Sequence, residues 1–384
     1  MIISNPVYLK PNVIIEPLFN QWYAWSYLIP PATAAFYVAN SHLKILESFI
    51  AAPQVHQDAL KNPAMGGAPF INYDESRLDE LKALWETTKD KLAALLELEQ
   101  AIKDLEKLLR EEAKGYSLEP LYQQVPEALK GYVELVYDAK NNPSILFIEG
   151  LLYRSQYYHP TCQTVALSLG NIAQRSFVLS TPRLPDNNSL HLNLSFGDKR
   201  LDKLVQMREK PQAYQDILSW LEIQPKNEQL FASFLTDNPP NPQPKYQGND
   251  VRVRYFGHAC ILIETEDISI LCDPLVSYHD LDGIPRYSYA DLPPTIDYAL
   301  ITHNHQDHVM FETLLQLRYK IKNVIVPKSN KGSLIDPSLK LILQQIGFTN
   351  VIEIDELEVI DIPQGEIVIP FLKSHATVAR ASKM

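Results

Sequence analysis

Two hydrophobic rhythms divide this chain. Between residues 78 and 109 apolar side chains return every three or four positions, at Leu78, Leu81, Trp85, Leu92, Leu95, Ile102 and Leu109, which is the repeat of a helix with one buried face. The spacing predicts a helix over residues 75–114 that stops at Gly115. Thr88, Glu99 and Glu106 interrupt the stripe, which favours a long surface helix or helical hairpin packed on its own domain over an intermolecular coiled coil. From residue 251 the rhythm changes. The stretch "VRVRYFGHACILIETEDISILCDP" alternates and then runs apolar, predicting two or three consecutive strands.

The remaining patterns are shorter. The aromatic-rich segment "FNQWYAWSYLIPPATAAFYVANSHLKILESFI" reads as helical on both sides of Pro30 and Pro31, since proline ends or restarts a helix. "LHLNLSFG" at 190–197 alternates like a strand and "PQAYQDILSWLEI" at 211–223 reads as a helix. Between the two textures lies "TDNPPNPQPKYQGND", where four prolines, three asparagines and a glycine leave little for a packed element to use. The expected organisation is therefore a front domain over 1–235, a linker over 236–250 and a second domain over 251–384. No internal repeat or glycine-rich phosphate loop stands out. His42, His56, His159 and His191 are scattered through the front domain and read as structural histidines.

Chemistry concentrates in "DYALITHNHQDHVMFETLLQ". Three histidines and an aspartate occupy the six positions from 303 to 308, after an apolar strand and before a helical run. His303 and His305 are two apart and project to the same side of an extended backbone, while Asp307 and His308 lie at the turn into the helix. The first pair is thus placed to grip one metal and the second pair another. Neutral imidazoles and a carboxylate suit zinc, iron or manganese. The bland alternative, unrelated histidines that happen to fall near a helix start, does not account for this density.

Composition narrows the setting. A formal net charge of -11 offers no broad positive field for a phosphate backbone, which argues against nucleic acid as a partner. The three cysteines, Cys162, Cys260 and Cys272, show no CxxC spacing, so neither a disulfide framework nor a thiolate zinc site is expected, and a reducing cytoplasm fits best. The N-terminus has no basic region leading into an apolar core, and no window approaches the ~18 apolar residues of a membrane span.

"HNHQDH" resembles the His-x-His-x-Asp-His signature of the metallo-β-lactamase superfamily, and "RYFGHACILIET" and "ILCDP" resemble that family's opening strands and the turn that closes them. The resemblance implies an α+β or α/β protein: a mixed N-terminal domain with a long helix, followed by the first half of an αββα sandwich. It also implies that His303 and His305 bind a first metal and Asp307 and His308 a second, with His375 in "PFLKSHAT" placed for a further first-metal ligand and Asp273 and His258 close by in support. The family's second half supplies a bridging carboxylate and a last histidine that have no counterpart before Met384, so a truncated chain or one half of a split protein is expected.

Two chemistries are open to such a site. Most relatives are hydrolases, in which a metal lowers the pKa of its water and Asp307 would orient that water and accept its proton. The large domain ahead of the cluster, with "LKPNVIIEPLFNQWYAW" and "AMGGAPFINY", is similar to that of the diiron β-hydroxylases of nonribosomal peptide biosynthesis. That likeness implies two transition-metal ions with iron favoured, an amino acid tethered to a carrier protein as substrate, and a homodimer formed through the front domain. In those hydroxylases a glutamate replaces one first-site histidine. Here the loop reads Lys373, Ser374, His375, with Glu366 nine residues earlier. A zinc- or manganese-dependent hydrolase of ester, amide or phosphodiester bonds, and a truncated non-catalytic remnant, are the alternatives.

Overall fold

The computed structural model describes residues 6–65, 67–169, 179–241, 243–279, 286–329, 332–362 and 365–368. The alternating stretch after residue 250 opens a six-stranded sheet whose strands lie side by side in chain order: Arg252–Gly257, Cys260–Glu264, Ser269–Cys272, Ile296–Leu300, Ile321–Pro327 and Val351–Ile354. The first three are antiparallel neighbours, with Arg254 opposite Leu262 and Leu262 opposite Leu271. The other pairings are parallel, which requires crossovers, and the helices Phe311–Leu317 and Leu339–Gln345 supply two of them. Period two is visible in the first strand, where Arg254 and Phe256 are buried while Val253 and Tyr255 are exposed.

In the front half a four-stranded antiparallel sheet runs in the order Trp22–Tyr23, Val13–Phe19, Gln163–Leu169, Ser189–Leu192. Its presence corrects the expectation of helix ahead of Pro30. Asn20 and Gln21 both take positive φ, 47° and 68°, the geometry of a two-residue hairpin turn, and Phe19 pairs with Trp22 across it. A single 3-10 turn, Ser26–Leu28, comes first, and α-helix begins with Pro31–Tyr37, which opens with proline at its first position. The strand at 190–197 also ends early, at Leu192, and in 211–223 the helix is confined to Tyr214–Trp220.

The stripe over 75–114 forms two helices, Leu78–Lys91 and Ala93–Glu112, broken at Leu92, where φ and ψ leave the helical region at -111° and 23°. Its apolar face is used at home: Leu95, Leu98, Ile102, Leu105 and Leu109 belong to the main core. Two of the three polar interruptions, Thr88 and Glu99, have partners inside the fold, while Glu106 is exposed. Thr88 is fully buried and accepts from the Asn20 side-chain amide at 2.8 Å. Glu99 accepts from Asn40 at 2.7 Å and pairs with Lys103.

One continuous core runs from Val7 to Val351, so the two halves share a hydrophobic interior. The helix Phe311–Leu317 is buried along its whole length, and its two most polar residues are matched from outside the helix. Glu312 accepts from the Tyr23 hydroxyl at 2.8 Å, and Gln316 accepts from Arg208 at 2.6 Å. Just beyond it, buried Arg318 donates through Nε to Asp202 at 2.7 Å, through Nη2 to the Asp198 carbonyl at 3.1 Å, and through Nη1 to the carbonyls of Phe196 and Ile346. Glu149 makes a second joint, accepting the Ser338 N–H at 3.1 Å where the helix Leu339–Gln345 starts. Among the described residues no helix is long and apolar enough to cross a membrane.

Two outcomes follow from these joints. Arg318→Met removes the cation that Asp202 and three backbone carbonyls share, leaving Asp202 only the exposed Lys199 at 3.4 Å, and is expected to cost about 3 to 5 kcal/mol in denaturant unfolding, with Arg318→Lys recovering only part of the loss because lysine lacks the planar fork. Burial lifts the Glu149 carboxyl from 4.5 to about 7, with Asp336 and Glu353 adding to the rise and the Ser338 N–H opposing it. The folded protein then holds a proton that the unfolded chain releases, so this group's contribution is complete below pH 4.5 and is lost as pH rises toward 7. Glu149→Gln is expected to flatten that slope, read as melting temperature across the same interval.

Candidate metal centre

The cluster sits at the carboxyl end of the parallel strands, the edge where open α/β sheets place ligands. Asp273 follows the strand Ser269–Cys272 with φ at 41° and donates its own N–H to the Leu300 carbonyl at 2.7 Å. Its buried carboxylate then accepts three bonds: from the Thr302 N–H and the Thr302 hydroxyl, each at 2.8 Å, and from His308 Nδ1 at 2.9 Å. After Leu300 the chain leaves the sheet. The His305 carbonyl accepts the N–H groups of His308 at 3.0 Å and Val309 at 2.9 Å, curling residues 305–309 into one turn ahead of the helix.

His303 and His305 meet from this loop rather than from an extended strand. His303 Nε2 lies 2.8 Å from His305 Nδ1, and the His303 ring stands 4.0 Å from that of His308. On the other side His258 Nε2 lies 2.7 Å from Asp307 Oδ2, and one donor atom from each of His258, Asp307 and His308 falls within 4.8 Å of the others. His258, placed beside the site by its sequence context, is therefore among the convergent donors. It is carried there by the hairpin between the first two strands, where Gly257 and Ala259 take φ of 113° and 60°. A histidine in so tight a turn next to the motif-bearing strands was the available signal.

Burial, then the neighbouring His308 and His305 rings, pushes His303 down to about 4, so it presents a neutral imidazole. For Asp307 burial works upward, but the His258 hydrogen bond and the adjacent rings outweigh it and hold the carboxyl below its ordinary range. The donor set is thus imidazole and carboxylate, which fits a dinuclear centre of iron, zinc or manganese. Asp273 behind His308 leaves Nε2 as the nitrogen free to coordinate, the arrangement that orients metal-binding histidines. Nearby thiols stay out of the set. Burial pushes Cys260 up to about 12 and Cys272 up to about 11.

Among the described residues, the convergent donors include none from the front half. His42 lies stacked on Trp22 at 4.2 Å and burial drives it down to about 3; His56 accepts the Ile71 N–H at 2.9 Å. Lys373, Ser374 and His375 lie outside the described residues. Glu366 is exposed on a small two-stranded sheet, opposite Asp361.

Comparison with known proteins places both halves. Residues 8–239 match the diiron non-heme β-hydroxylase N-terminal domain and residues 252–368 the β-lactamase superfamily domain. The chain is 36% identical over 383 residues to the 4-amino-L-phenylalanyl-[CmlP-peptidyl-carrier-protein] 3-hydroxylase of Streptomyces venezuelae, covering 98% of this chain and 72% of the relative. The crystal structure of CmlA, a diiron β-hydroxylase from Streptomyces venezuelae, superposes with a TM-score of 0.85 at 35% identity, over 96% of this chain and 70% of that one. A metal-dependent hydrolase of Pyrobaculum islandicum matches only 59 residues, 15% of this chain and 25% of its own, at 36% identity. This chain belongs to the diiron non-heme β-hydroxylase family.

Proposed function

We propose that the chain hydroxylates the β-carbon of an amino acid held on a carrier protein, at a centre of two irons. The observation that carries this reading is the convergence of His303, His305, His258, Asp307 and His308 behind a front half of hydroxylase type. The relative from Streptomyces venezuelae acts, by its name, on an amino acid bound to a peptidyl carrier protein. His303 and His305 would hold one iron; His308 and Asp307, with His258 beside them, would hold the other. When bound, the iron pair supplies the activation of dioxygen.

The chain's own residues set the conditions for that chemistry. Asp273 keeps the proton of His308 on Nδ1, and the Thr302 hydroxyl, spent on Asp273, accepts from His303 Nδ1 at 2.9 Å. Each imidazole thereby turns its other nitrogen toward the centre. Asp307 stays ionised and contributes negative charge to the cations. His258 and Asp307 are more than half exposed, so the open side of the site faces solvent and a partner can approach there. A homodimer formed through the front half belongs to the same proposal and is checked by sedimentation.

Protein loaded with iron is expected to add one oxygen atom to a carrier-bound aminoacyl group under dioxygen and a reductant, detected by mass spectrometry of the carrier, with His305→Ala losing this activity. Turnover of ester or phosphodiester probes by the zinc-loaded protein, with no oxygen transfer by the iron-loaded one, sinks the reading. Asp273→Asn weakens the acceptor behind His308 and Thr302 and is expected to lower metal affinity roughly 10- to 100-fold in chelator competition.

A further inference from the structure

A cavity of about 460 Å³ opens where the two halves and the proline-rich stretch between them meet. It lies at the end of the helix Phe311–Leu317 that is remote from the histidine loop, since Gln316 and Leu317 form part of its wall. Most of the lining is ring and hydrocarbon, from Tyr8, Pro11, Pro239, Pro240, Tyr289 and Leu292. Its volume falls within the roughly 300 to 1,000 Å³ of small-molecule sites, which are likewise apolar with a few placed charges.

The charges in this wall do not balance. Lys10, Arg208 and Lys320 line the cavity, with Glu209 as the carboxylate among the described residues there. Glu209 is engaged by Lys320, whose Nζ also donates to the Pro293 carbonyl at 3.1 Å. Burial, then the charge of Glu209, raises the Tyr319 phenol, so that ring adds no anion of its own. The other two cations meet only neutral acceptors among the described residues. Lys10 Nζ donates to the Ser233 carbonyl at 2.7 Å, and Arg208 donates through Nη1 to the Gln316 amide oxygen at 2.6 Å and through Nη2 to the Val13 carbonyl at 2.7 Å. The Arg208 guanidinium also lies against the rings of Tyr289 and Tyr278, 5.0 and 5.5 Å from their centres.

Carbonyls and ring faces orient a cation without neutralising it. Two such charges beside an apolar wall leave an electrostatic demand that a carboxylate meets, and the low local dielectric strengthens the attraction. The excess runs against the chain as a whole, whose formal net charge is -11. A planar guanidinium and a compact ammonium both suit a carboxylate, the first by its N–H fork and the second as a point charge.

We propose that this cavity is a ligand site distinct from the metal centre, built for an organic acid whose carboxylate faces Lys10 and Arg208 and whose aromatic body packs among the tyrosine and proline rings. The occupant touches Lys10 and Pro239 on one side and Gln316 and Leu317 on the other, so it ties the front half and the connecting stretch to the helix that follows the histidine loop. The assignment needs neither a metal nor turnover and stands apart from the hydroxylase reading.

The test uses the full chain as purified and three probes of one shape, 3-phenylpropanoate, 3-phenylpropanol and 3-phenylpropylammonium, with binding measured by calorimetry. The acid is expected to bind roughly tenfold or more tightly than the alcohol, the scale of a charge-assisted contact, and the ammonium more weakly than either. The affinity of the acid falls as salt rises. Lys10→Met and, independently, Arg208→Gln are each expected to lose roughly tenfold in affinity for the acid and little for the alcohol, while Lys10→Arg keeps most of it. His305→Ala binds the acid as the parent does. No binding of the acid, equal binding of acid and ammonium, or parental affinity in Lys10→Met overturns the proposal. Loss of acid binding in His305→Ala with none in Lys10→Met places the acid on the metal centre and overturns it as well.

Discussion

A single buried guanidinium governs how the two halves of this chain meet. Arg318 emerges from the end of the helix that follows the histidine loop, and its fork reaches the carboxylate of Asp202 and the carbonyls of Phe196, Asp198 and Ile346. Lone carbonyls and a carboxylate in a dry seam would each be costly; gathered around one planar cation they satisfy one another. The seat depends on Gly347, whose φ is +96° and where an added Cβ would come within 2.6 Å of the Arg318 Nη1. Close approach of backbone and a left-handed conformation both require glycine there. Because the helix Phe311–Leu317 is pinned at its far end by Arg318 and at its near end by Tyr23 on Glu312, the loop ahead of it is held against the front half.

The site inherits its geometry from that placement and from one carboxylate. Asp273 makes no contact that sequence spacing would announce, lying 29 residues before Thr302. Parallel pairing of Leu271 with Ala299 brings the ends of their strands level, and only then can Asp273 reach both Thr302 and His308. The positive φ at Asp273 turns the chain away from the strand and points the side chain back across the sheet end. Local strain of this kind is tolerated where surrounding bonds over-determine it, as three accepted hydrogen bonds do here.

What could be read in advance followed from contiguity. The histidine cluster spans six positions, and the strands that carry it alternate in a pattern any half-buried sheet shows, so both were legible. The helical stripe was legible as well, but its break at Leu92 was not, since nothing there resembles proline or glycine. The turn at Asn20 and Gln21 was hidden because the aromatic residues around it fit a helix as readily as a hairpin, and tertiary pairing with the strand Gln163–Leu169 decided between them. His258 shows the general difficulty, since it reaches the cluster from 49 residues away in the sequence.

The two thiols beside Asp273 have a consequence for durability. Oxidants attack the thiolate far more readily than the thiol, and the burial that raises Cys260 and Cys272 leaves almost none of the ionised form at neutral pH. The strands that frame the histidine loop can therefore carry sulfur safely, because the same packing that builds the sheet also keeps those atoms chemically quiet.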